Sequence, residues 1–174
     1  MVNMRPFTAF EQKNLKFLVN HNVKFTQVEI TPTGLGKGIL DSTAPMRAYF
    51  LENGIHNYEE QLQGQEHKQI KAACILTDTT QFFTKVSFYR PNTKKGDPRM
   101  WVYGFGSYTE GNDIHVLFWH EKTLYSINIT HIDIEKCYNS AIITPMQEVL
   151  KAINQEGNSV SEELLGRFRA GKYI

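Results

Sequence analysis

The sequence predicts a mixed α/β fold of the α+β class, a central mixed sheet flanked by helices. Three observations predict it. Short runs of alternating apolar and polar residues recur through the middle of the chain. Apolar residues at helical spacing mark segments near both ends. Glycine, proline and charged turns separate these segments at short intervals.

The elements follow in order. Residues 8–21 read as a helix, with Phe10, Leu15 and Leu18 at helical spacing and Phe7 just before them. Residues 24–30 alternate and read as a strand. Residues 31–38, with Pro32, Gly34, Gly36 and Gly38, read as a loop leading to the apolar step Ile39-Leu40, which ends on Asp41. Ser42 or Thr43 can cap a helix over 44–53 that Gly54 terminates. Residues 66–76 read as a buried strand that opens on Glu66-His67-Lys68. Further strands are expected at 82–89, 100–104, 113–119 and 123–129. Helices are expected at 145–155 and 159–169, the second opening at Ser159 or Ser161 with Glu162 and Glu163 in its first turn. No repeat, low-complexity tract or linker divides the chain, so residues 1–174 are expected to form one domain.

The 174 residues are enough for a sizeable core, and 41% hydrophobic with 21% charged residues excludes a disordered chain. No stretch approaches the length of a membrane span, and the N-terminus carries no signal-peptide pattern. Cys74 and Cys137 lack metal-ligand spacing, and Cys74 sits in the apolar run Ala72-Ala73-Cys74-Ile75-Leu76. Two unpaired thiols fit a reducing cytoplasm. The balance of 19 basic against 18 acidic residues gives a net charge of +1, so partner choice must be read from local charge.

Two segments carry chemistry. The first is Asp41, a spacer, then Glu66-x-Lys68. Alternation along a strand would put Glu66 and Lys68 on one side. With Asp41 at the end of a neighbouring segment, two carboxylates and an ammonium would converge. Two carboxylates suit a hard cation such as Mg²⁺, with the His67 backbone carbonyl available to complete its shell. Lys68 could steady a water or the charge developing on a phosphorus centre. The competing reading is a solvated pair on a strand surface, with Glu59, Glu60 and Asp78 as rival carboxylates. The second segment is the basic run from Tyr89 to Arg99, which suits phosphate contacts or, more plainly, a solvated turn. Gly34-Leu35-Gly36-Lys37-Gly38 matches neither a Walker A loop nor a dinucleotide fingerprint, and close backbone approach to a phosphate is the most it offers. The six histidines show no paired zinc spacing.

Three colinear stretches resemble MvaI/BcnI-type restriction endonucleases. They are Thr31-Pro32-Thr33-Gly34-Leu35 with Ile39 to Arg47, then Gln63 to Lys68, then Tyr89 to Trp101. The resemblance spans roughly residues 31–130. It implies a PD-(D/E)XK nuclease core, related to the MutH mismatch-repair nickase, over about 25–130, followed by C-terminal helices at 145–170. It implies an enzyme that hydrolyses phosphodiesters of double-stranded DNA with Mg²⁺ and leaves a 5′-phosphate, acting as a monomer. Asp41, Glu66 and Lys68 would inherit the catalytic positions, with Asp41, Glu66 and the His67 carbonyl on the metal. Lys37, His67, Arg90, Lys94, Lys95 and Arg99 would face DNA, and Asp97 would support them. The chain is shorter than typical members. Nicking, dependence on a partner subunit, and a non-catalytic DNA-binding module on the same fold therefore stay open beside site-specific restriction.

Overall fold

The computed structural model describes residues 4–155. Five α-helices are present: α1 (Ala9–Asn20), α2 (Pro32–Lys37), α3 (Ala44–Glu52), α4 (Ile134–Tyr138) and α5 (Pro145–Gln155). They accompany seven strands: β1 (Thr26–Ile30), β2 (Leu40–Asp41), β3 (Gln69–Leu76), β4 (Gln81–Tyr89), β5 (Arg99–Val102), β6 (Asp113–His120) and β7 (Thr123–Asn128). All seven strands join one mixed sheet in the order β1-β6-β7-β3-β4-β5-β2, with β3 and β7 parallel and the other neighbours antiparallel. The α+β expectation is met at this level.

Local chemistry explains most boundaries. Thr8 caps α1 through a reciprocal capping box with Glu11, and Thr43 caps α3. Residues 31–38 are not the expected loop. Thr31 accepts from the Gly34 amide, Pro32 opens α2, and Gly38 closes it at φ 65°. Cap, proline and left-handed glycine are the punctuation of a very short helix, too short to show apolar periodicity. The strand expected to open at residue 66 begins at Gln69, because Gln65–His67 form a 3-10 turn. The sequence reading also missed α4, which Asp133 caps. The expected helix at 159–169 lies outside the described residues.

The link from β1 to β2 constrains the whole sheet. These strands occupy opposite edges, about 29 Å apart if six spacings of about 4.8 Å lay flat. From Ile30 to Leu40 the chain includes a six-residue helix, so it reaches only about 25 Å at full stretch. The sheet therefore curls. Its inner face gathers Val28 and Ile30 from one edge with Leu40, Met100 and Val102 from the other, around Met46, Tyr49 and Phe50 of α3. Phe105, just past β5, comes within 4.6 Å (ring centroids) of His115 on β6. His115 is fully buried, bonds Ser126 Oγ through Nδ1, and is held neutral because burial pushes its pKa down to about 3.

The outer face divides. Over β1, β6, β7 and the far end of β3, helices α1, α4 and α5 cover Cys74, Leu76, Val116, Phe118 and Ile127. Both cysteines are buried and unbridged. Over the rest of β3 and over β4 the same face is open, with Ile70 51% and Phe83 66% exposed.

The N-terminal segment is fastened by a buried ion pair. Arg5 grips the Glu11 carboxylate through both terminal nitrogens, at 2.8 and 2.6 Å, and Thr130 donates to the same carboxylate. Burial alone would raise the Glu11 pKa. Hydrogen bonds from Arg5, Thr130 and the Thr8 amide outweigh it and hold the group at about 2. A carboxylate whose pKa is depressed on folding stabilises fully above its unfolded pKa, and that contribution fades as pH falls toward the folded value. Glu11→Gln is expected to cost about 2 kcal/mol at neutral pH and to flatten the loss of stability between about pH 4.5 and pH 2. Urea melts of both proteins across that range check this.

Candidate nucleic-acid interface

The register of β2, β5, β4 and the approach to β3 draws four side chains into one row. Asp41 pairs with Arg99 and Arg99 with Tyr89. Lys68 immediately precedes the β3 residue Gln69, which pairs with Phe88, and its ammonium lies over the Tyr89 ring, 5.4 Å from the centroid. Directly paired residues point to the same face of a sheet, and here it is the open outer face.

The row is electrostatically mixed. Arg99 Nε stands 3.8 Å from Asp41 Oδ1, too long for a hydrogen bond, and it has no hydrogen-bond partner of its own although it is buried. The Arg99 side chain is 16% exposed and the Asp41 side chain 79%. Tyr89 is buried, which raises its phenol pKa, while a hydrogen bond with Arg99 works the other way. Further along the face, Lys85 lies over the Tyr103 ring at 5.0 Å, beside exposed Phe83. Trp101 sits at the sheet edge against Gly38, where a Cβ would come within 3.6 Å of its ring.

The structure brings Asp41 and Lys68 of the expected set into one row and places Glu66 beside that row's end, in a turn. Asp41 and Lys68 sit at the two ends of the row, with Arg99 and Tyr89 between them. Glu66 does not alternate with Lys68 along a strand. It lies in the 3-10 turn, 69% exposed, with Oε1 3.7 Å from His67 Nε2. The His67 carbonyl already accepts from Gln61 Nε2 at 3.0 Å and Gln69 Nε2 at 3.4 Å, which occupies both lone pairs. Among the described residues no group of three or more His, Cys, Asp or Glu side chains is placed to hold a metal ion.

The basic segment is more structural than its composition suggested. Arg90 does not project from a DNA-facing loop: its Nε donates to Gly96 O, and Nη1 to Tyr58 O and Gln61 O. Gly96, at φ 70°, packs on Gln63, so closely that a Cβ would overlap that side chain. Gly64 N donates to Arg90 O. These bonds sew loop 90–98 onto loop 58–67. Lys37, Lys95 and Asp97 are exposed, and His67 is 40% exposed at its side chain.

Two residues that sequence reading left without a role organise the row. Tyr58 donates to Arg99 O at 2.8 Å, so Ser42 Oγ donates to Tyr58 Oη at 2.6 Å. Arg47 Nη1 in turn donates to Ser42 O. This chain fixes the two-residue strand β2 against β5 and thereby places Asp41 beside Arg99. A tyrosine in a polar loop gives no sequence signal for such a role. Tyr58→Phe is expected to lower stability by about 1–3 kcal/mol, because Ser42 Oγ and Arg99 O each lose a buried partner. Thermal unfolding of the variant checks this, and an unchanged Tm would contradict it.

Comparisons with family models, with curated proteins and with solved structures found no match.

Proposed function

We propose that this protein binds DNA on the open outer face of its sheet. The observation that carries the reading is the row Lys68–Tyr89–Arg99–Asp41, continued by Lys85, Ile70 and Phe83 on a face that no helix among the described residues covers. Cations interleaved with aromatic and aliphatic groups suit a phosphate backbone and the sugars or bases beside it. Lys68 and Lys85 are held over aromatic rings, which limits the rotamer entropy lost when they take a phosphate. The exposed carboxylate of Asp41 caps one end of the row and opposes a phosphate there.

In this reading Lys68→Ala and Lys85→Ala each weaken binding across unrelated duplex sequences, and each lowers the salt slope of log K by about 1. Asp41→Asn removes a repulsive charge and tightens binding. Fluorescence anisotropy with two unrelated duplexes over a salt series checks all three. No dependence on salt, or equal affinity in every variant, counts against the reading.

The second reading is a DNA endonuclease with a PD-(D/E)XK core. Asp41 and Lys68, which the resemblance to restriction endonucleases assigns to catalysis, share one face and one row. Glu66, the third residue of that set, lies in the 3-10 turn before β3 rather than in the row. Incubation with supercoiled plasmid and Mg²⁺ decides between the two. The binding reading predicts intact plasmid, whereas nicking that Asp41→Asn and Lys68→Ala abolish would establish the endonuclease.

A further inference from the structure

Arg90, the residue after β4, turns toward Tyr58 and Gln61, beside the helix α3 that fills the inner face and away from the outer-face row. There it lines a cleft of about 300 Å³ together with Arg47 of α3. The two guanidinium groups share an unusual condition. Each is anchored only to backbone carbonyls, Arg47 to Ser42 and Arg90 to Gly96, Tyr58 and Gln61. Among the described residues no carboxylate lies within 4.0 Å of either. Two cations in one concavity, oriented by backbone and each without a carboxylate at ion-pair distance, repel each other. That cost persists unless an anion joins them.

The donors that remain suit such an anion. A guanidinium has five N–H groups, and among the described residues these bonds leave Arg47 Nε and Nη2 and Arg90 Nη2 uncommitted. Planar forks on two sides match tetrahedral oxyanions that accept two bonds from each. His56 forms part of the wall, stacked on Phe88, with Nε2 bonded to Gln61 Oε1. Burial lowers its pKa, so it adds shape rather than charge. Glu59 also lines the cleft and keeps the site from being uniformly positive. The volume is at the small end for ligand sites, which suits a phosphate group rather than a whole nucleotide.

We propose that Arg47 and Arg90 form a phosphomonoester site on the α3 side of the sheet, separate from the outer-face row. The dianion has two sources, the terminal phosphate of a nucleic acid strand or a free small phosphomonoester.

The test is NMR of the ¹⁵N-labelled full chain, following the Arg47 and Arg90 Nε–Hε signals at constant ionic strength. Inorganic phosphate is added first, then one oligonucleotide in 5′-phosphorylated and 5′-hydroxyl forms. Phosphate is expected to move both signals. A 5′-phosphorylated strand that displaces it roughly tenfold better than the hydroxyl form identifies a strand end as the source. Movement with phosphate but no difference between the strands supports the site and assigns it to small phosphomonoesters. Signals that stay in place at millimolar phosphate overturn the proposal. Arg47→Lys keeps the charge and a donor for the Ser42 carbonyl but removes the fork. It is expected to bind phosphate several-fold more weakly, and unchanged phosphate affinity in the folded variant also overturns the proposal. These signals report the cleft whether or not the outer-face row binds DNA.

Discussion

A link too short to span a flat sheet shapes this molecule. Residues 31–39 must connect the two edge strands of a seven-stranded sheet, and a helix within the link shortens its reach further. Curling brings the edges together, and each later feature follows from it. The inner face becomes a trough that α3 fills with Met46 and Phe50. The outer face becomes too broad for α1, α4 and α5 to cover completely. What they leave bare is the part of β3 and β4 that adjoins the Lys68–Tyr89–Arg99–Asp41 row.

The site rests on that geometry through a short chain of polar contacts. Strand β2 has two residues, too few to hold a place by ladder bonds alone. It is held by Arg47, Ser42 and Tyr58, which tie it to the backbone of β5. The same loop that carries Tyr58 is sewn by Arg90 to the turn after β4. Arg47 and Arg90 thus do structural work on one side of the sheet and bring positive charge to the cleft there. The two proposed anion-binding regions share scaffolding but face opposite ways.

Much of this architecture could be read from local sequence. Alternation located β4, β6 and β7 closely, apolar spacing marked α1, and the choice of Ser42 or Thr43 as a cap marked α3. Pairing partners were another matter. The parallel β3–β7 contact and the placement of β2 beside β5 depend on long-range closure that no local pattern records. The Glu66-x-Lys68 spacing misled for a physical reason. It implies a shared face only within a strand, and Gly64, at φ 118°, introduces a 3-10 turn that carries Glu66 instead. The basic composition of 90–99 was read correctly as charge but not as structure, since Arg90 spends its donors on carbonyls. Asp41 and Lys68 were legible as members of one set with Glu66, whereas Tyr89 and Arg99, which lie between them in the row, were read only as parts of a separate basic run.

The central claim is that duplex DNA lies on the uncovered outer face and not elsewhere. Lysine reductive methylation, read residue by residue by mass spectrometry with and without a saturating duplex, tests it directly. DNA is expected to protect Lys68 and Lys85 while Lys13 and Lys16 on α1 react as before. Equal modification of Lys68 and Lys85 in the two states, or protection centred on α1, would contradict it.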